Sequence, residues 1–137
     1  MPKAMRIVLG LLVGLVVWFV VATVGNFVIR SWVPGYVEAE PAMRFKLPML
    51  LARLGLSAVS SVAAGLACGA LLRPVPVAVG LFAALLVVFF VPVHYSLWAQ
   101  FPIWYHVVFL GSLAPLALLG ARLAKVRSSE ANDVRSR

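Results

Sequence analysis

His94 and His106 stand six residues on either side of Gln100, and Gln100-Phe101-Pro102 is the natural place for a long apolar run to turn back on itself. Proline suits the first turn of a helix and biases its predecessor away from helical backbone. A reversal there gives two antiparallel helices that carry both imidazoles to one depth, about 9 Å below the turn at 1.5 Å per residue. Imidazoles so placed can supply hydrogen bonds or ligate a metal. Asn26 and Arg30, four residues apart, share a helix face at a matching level, and Arg53 adds a permanent cation. Glu38 and Glu40 lie in the intervening loop, where one of them is expected to fold over Arg53. Trp98, Trp104, Tyr95 and Tyr105 surround the two histidines.

Polar side chains at one level of an apolar bundle are functional candidates because hydrocarbon penalises them. Asn26, Arg53, His94, His106, Glu38 and Glu40 are therefore the expected ligand-binding residues, with His94 and His106 the candidate metal ligands. Two outcomes stay open. In the first, the cluster is a structural hydrogen-bond network, since Trp and Tyr belong at membrane interfaces anyway and arginine reaches out to water there. In the second, it lines a pocket for a lipid headgroup, a quinone or haem. Haem would need the two histidines to face each other across a gap. No cofactor is predicted outright.

No catalytic residue is predicted either. Ser57, Ser60 and Ser61 fall in no motif with a histidine, HExxH is absent, and no glycine-rich loop follows a strand. The single Cys68 excludes an intramolecular disulfide and CxxC chemistry. All four carboxylates, Glu38, Glu40, Glu130 and Asp133, lie outside the apolar runs. Proton-coupled carriers commonly keep an acid within a helix. The chain has the size and helix count of the small multidrug exporters, but its first helix holds no acid, which weighs against transport.

The elements that must hold these residues follow from hydropathy. Hydrophobic residues make up 64% of the 137 and charged residues 12%, against roughly half and a quarter in ordinary soluble domains. Such a chain cannot cover its apolar surface in water, so the expectation is an all-α integral membrane protein. Ile7 to Ile29 is 23 residues without a charge, and Leu54 to Leu72 is 19 more. Pro74 to Ala121 is 48 residues without Lys, Arg, Asp or Glu. One helix of that length would run about 72 Å, more than twice a hydrocarbon core. It must fold back. The expected spans are about 5–29, 48–72, 76–99 and 102–124, in one domain of residues 1–125, followed by a flexible basic tail over 126–137. Short connections, including Arg73-Pro74-Val75-Pro76, make antiparallel neighbours and an up-down four-helix bundle. The basic start, Met1 to Arg6, resembles a secretory leader, yet the apolar run that follows exceeds a leader's 7–15 residues, which favours an uncleaved first helix.

Basic residues near span ends set orientation. With both termini inside, the cytoplasmic side holds Lys3, Arg6, Arg73, Arg122, Lys125, Arg127, Arg135 and Arg137, and the outer side Arg30, Arg44, Lys46 and Arg53. Eight against four favours a bacterial-type inner membrane protein with cytoplasmic termini and the polar belt outside. The net charge of +8 thus sits at helix ends and offers no nucleic-acid surface. Membrane lipid is the expected partner. Ser57, Ser61, Gly65 and Gly69, at steps of four, form a small-residue stripe for tight helix contact, within the chain or with a second copy or another membrane protein. Gly10 and Gly14 repeat the step in the first helix. The expected role is a non-enzymatic accessory or interaction subunit. The alternatives are a ligand-, haem- or quinone-binding protein that uses the outer belt, and a small transporter.

Overall fold

The computed structural model describes residues 1–72 and 76–137. Among these the chain is helical and without strands: α1 (Lys3–Trp32), a short α2 (Tyr36–Ala39), α3 (Leu47–Leu72), α4 (Pro76–Ser96) and α5 (Ile103–Arg135). Four of the five, all but α2, are long and apolar enough to cross a membrane. Each expected span falls on one of them. Arg73, Pro74 and Val75 of the expected tight connection lie outside the described residues.

Local chemistry fixes the ends. Pro34 cannot continue α1, which closes with the Val33 N–H donating to the Ile29 carbonyl at 2.8 Å. α4 stops at Ser96, short of residue 99. The Ser96 hydroxyl and the Leu97 N–H both donate to the Val93 carbonyl, at 2.7 and 3.2 Å, and draw the chain into the turn before Phe101. Pro102, extended at φ −65 and ψ 148, then starts α5.

α5 runs on to Arg135, so the expected flexible tail over 126–137 is corrected: most of it continues the last helix. No glycine or proline follows Gly120 to break it. Ser128 and Ser129 donate back to the Lys125 carbonyl, and Arg137 pairs with Asp133 at 3.3 Å. Apart from the half-buried Ser128, the side chains from Lys125 onward are exposed.

Small residues decide which helices meet. A Cβ added to Gly65 would lie 1.9 Å from the Ala117 carbonyl oxygen, and one on Gly120 would lie 2.1 Å from that of Val62. Gly69 faces Ala121 in the same way. α3 and α5 therefore touch backbone to backbone and run in the same direction. Ser57, Ser61, Gly65 and Gly69 are all buried, so the stripe faces inward and a second copy cannot reach it in this arrangement. On the other flank of α3, Gly10 meets Leu72, Gly14 meets Cys68 and Gly25 meets Leu56, so α1 runs against it. α4 lies antiparallel to α5, with Phe90 against Phe109 at 5.4 Å between ring centroids. α1 and α4 touch mainly around Gly14 and Phe82 and through the rings of Trp18, Phe19, Phe89 and Phe90. Nearer the α2 end they part.

Candidate functional site

Where α1 and α4 part there is a cavity of about 440 Å³, within the range of about 300–1,000 Å³ usual for ligand sites. Trp18, Phe90 and Phe109 form its deep end, and Leu56 lines its α3 wall. Glu40 and Met43, from the segment joining α2 to α3, lie at its shallow end. Thr23 and Phe27 on α1 and Val93 on α4 line the cavity and are exposed, so its open side lies between those two helices. Asn26, Arg53, Ser57, His94 and Tyr105, with Thr23 and Glu40, are the polar lining.

The polar residues form two connected groups. The first is tied together by Tyr36, which the sequence does not advertise. Gly35, left-handed at φ +76, lets the chain turn after Pro34, and Tyr36 drops inward with 0% exposure. Arg53 Nη1 donates to the Tyr36 hydroxyl at 2.7 Å, and that hydroxyl donates to Asn26 Oδ1 at 3.2 Å. The Asn26 amide reaches Glu40 Oε1 at 3.5 Å, and Glu40 pairs with Arg30 at 3.3 Å. Tyr105 lines the same cavity as Arg53. The Phe45 ring covers the guanidinium, 4.8 Å from Cζ to the ring centroid, and stacks in turn on Tyr36 at 5.1 Å.

Glu40 therefore does not fold over Arg53 as expected, and neither does Glu38, which is exposed. The physical reason is position. Glu40 follows α2 and comes down beside the end of α1, where Arg30 is the nearer cation. The partners found for Arg53 are the neutral Tyr36 phenol and an aromatic face.

The second group is the histidine pair. Counting from the turn puts the two rings at one depth, and the structure brings them into contact: Nδ1 to Nδ1 is 2.7 Å, with the rings nearly perpendicular. Both are buried, His94 at 5% and His106 at 0% exposure. A neutral pair needs opposite tautomers, one ring donating from Nδ1 and the other accepting there with its proton on Nε2. Trp98 stacks on His106 at 4.7 Å and Phe109 lies against His94 at 4.3 Å. Two nitrogens bound to one metal at about 2.0–2.1 Å each in tetrahedral geometry stand more than about 3 Å apart, so this contact is a hydrogen bond. It leaves no gap for a haem iron either. Among the described residues no group of three or more His, Cys, Asp or Glu could hold a metal ion.

The structure thus joins Asn26 and Arg53 in one network and His94 with His106 in another; Asn26, Arg53 and His94 line the cavity, and His106 lies behind His94. Glu40 lies at the rim, and Glu38 is apart. Among the described residues, three buried side-chain polar atoms have no partner: Arg53 Nε, Ser57 Oγ and His106 Nε2. Trp18, which donates to Ser61 Oγ at 3.1 Å, closes the deep end.

Comparison with protein-family models, with curated proteins and with solved structures finds no match to this chain.

Proposed function

We propose that this is a multi-pass protein of a bacterial-type inner membrane, with both termini cytoplasmic, that works by holding one amphiphilic molecule in the cavity between α1 and α4. The cavity's shape supports this most directly: apolar and aromatic walls at the deep end, a few polar groups at the other, and an open side between two helices apolar enough to face lipid. A ligand could enter sideways from the bilayer, with no path through water. The excess of basic residues at the helix ends away from α2 supports this orientation, in which the cavity lies in the outer half of the membrane. An up-down bundle agrees with the observed directions, α1 against α3 and α4 against α5.

No chemical step is assigned. Ser60 and Ser61 donate to carbonyls one turn back on their own helix, at 2.8 Å each, and the two imidazoles engage each other. An accessory role in a larger assembly would be exercised through what the cavity holds. The test is to purify the protein from its native membrane in mild detergent and to identify retained amphiphiles by mass spectrometry. One species at about one copy per chain is expected, and it should be lost in Ala22→Phe, which fills the cavity from α1. The same mixed lipid on both proteins would refute the proposal.

A further inference from the structure

We propose that the ligand's polar end is an oxyanion, the phosphate or carboxylate of an anionic amphiphile, bound by Arg53 Nε and Ser57 Oγ. This rests on the cavity-binding function above and goes further by naming the chemistry recognised.

Two of the three unpartnered buried polar atoms belong to residues lining this cavity, Arg53 and Ser57. They stand four residues apart on α3, so their side chains lie on one face, one turn from each other. Ser57 is 3% exposed, and a helical serine has an easy local way to satisfy itself. Its neighbours take it: Ser60 donates to Leu56 and Ser61 to Ser57, four residues back in each case. Ser57 makes no such bond. A buried hydroxyl left free beside a cavity, with a guanidinium N–H one turn away, makes a donor pair that lacks its acceptor.

Charge selects the acceptor. Arg53 cannot lose its proton, and its observed partners, Tyr36 and the Phe45 face, carry no negative charge. The nearby carboxylate of Glu40 is held by Arg30 and Asn26. A half-buried cation without a counter-charge is costly, and an oxyanion in the cavity supplies one. A neutral carbonyl ligand, such as a quinone, would take the hydrogen bonds and leave the charge uncompensated. The deeper lining, Trp18, Phe90 and Phe109, is apolar and suits an acyl or isoprenoid chain.

The test is native mass spectrometry of the full chain in detergent, titrated separately with dioleoylphosphatidylglycerol, oleate and dioleoylglycerol. A phosphodiester, a carboxylate and a neutral amphiphile are thereby compared on the same acyl chain. One of the two anions is expected to bind at one copy with at least about tenfold preference over dioleoylglycerol. Phosphatidylglycerol ahead of oleate identifies a phospholipid headgroup; the reverse identifies a fatty-acid carboxylate. Ser57→Ala, a small change at a group with no partner to lose, should weaken anion binding several-fold and leave dioleoylglycerol unaffected. Arg53→Gln should abolish the preference, and lipid-free thermal unfolding reports whether that variant folds. Equal binding of all three amphiphiles, unchanged by Ser57→Ala, would overturn the oxyanion and leave the cavity function standing. No binding by any of them would overturn both.

Discussion

Gly65→Ala adds one methyl group where the structure has no room for it. The new Cβ would lie 1.9 Å from the Ala117 carbonyl oxygen, whereas ordinary contact begins at 3.4 Å. The obstacle is backbone, so no rotamer relieves it, and α3 must part from α5 locally by about 1.5 Å, the difference between those distances. The reciprocal contact of Gly120 on Val62 would open with it. Overpacking of this kind costs about 1–3 kcal/mol, and a loss in that range is expected. Gly55 supplies the control, because nothing lies within 4 Å of its added Cβ. Gly55→Ala should be neutral or stabilising by up to about 1 kcal/mol through better helix propensity. Reversible unfolding by SDS in mixed micelles, followed by far-UV circular dichroism, measures both. Gly65→Leu should be worse again, and more damaging than Leu66→Ala at the half-buried neighbour. Equal stability of Gly65→Ala and Gly55→Ala would refute backbone contact as the basis of the α3–α5 pair.

Tyr36→Phe removes the acceptor of Arg53 Nη1 and the donor to Asn26 together. A loss of about 1.5–3 kcal/mol in the same unfolding assay is expected, as for bonds to charged groups, and no loss would mean the phenol is incidental. His94→Leu leaves His106 buried with neither ring nitrogen partnered, at a cost of about 1–3 kcal/mol. Adding His106→Phe, which keeps a ring against Trp98, should recover part of that, and strictly additive losses would contradict a coupled pair. A reporter active only in the cytoplasm should give signal fused after Arg137 and none inserted at Gly35. The reverse pattern would invert the proposed orientation.

Much of this was readable beforehand, for physical reasons that differ from one feature to the next. Spans are legible because some twenty consecutive residues carry the signal. The shared depth of His94 and His106 is legible because a helix's rise is constant and Pro102 fixes where counting starts. Their contact is not, since it depends on helix rotation, which the near-uniform hydropathy of α4 leaves unmarked. Nothing in the residue pattern marks Tyr36 as a hub. Its inward turn depends on Gly35 and on the exact fold of a loop, although a Pro-Gly step directly before a phenol is a signal that could be sought. The partner of Glu40 is not legible, because sequence shows which charges share an end of the bundle, not which lie nearest. Gly65 and Gly69 marked a close contact correctly, but a step of four cannot name the facing helix. The cavity has no sequence signature of its own, being the space left where α1 and α4 diverge.

Photo-crosslinking in native membranes tests the central claim most directly. Benzoylphenylalanine replaces Leu56, which lines the cavity, or Val59, exposed on the outer surface of the same helix. After irradiation, intact-protein mass spectrometry reads the adducts. A ligand-holding cavity predicts one discrete adduct mass at position 56, distinct from the broad mixture of bulk lipids captured at position 59. The same mixture at both positions, or no adduct at position 56, would contradict it.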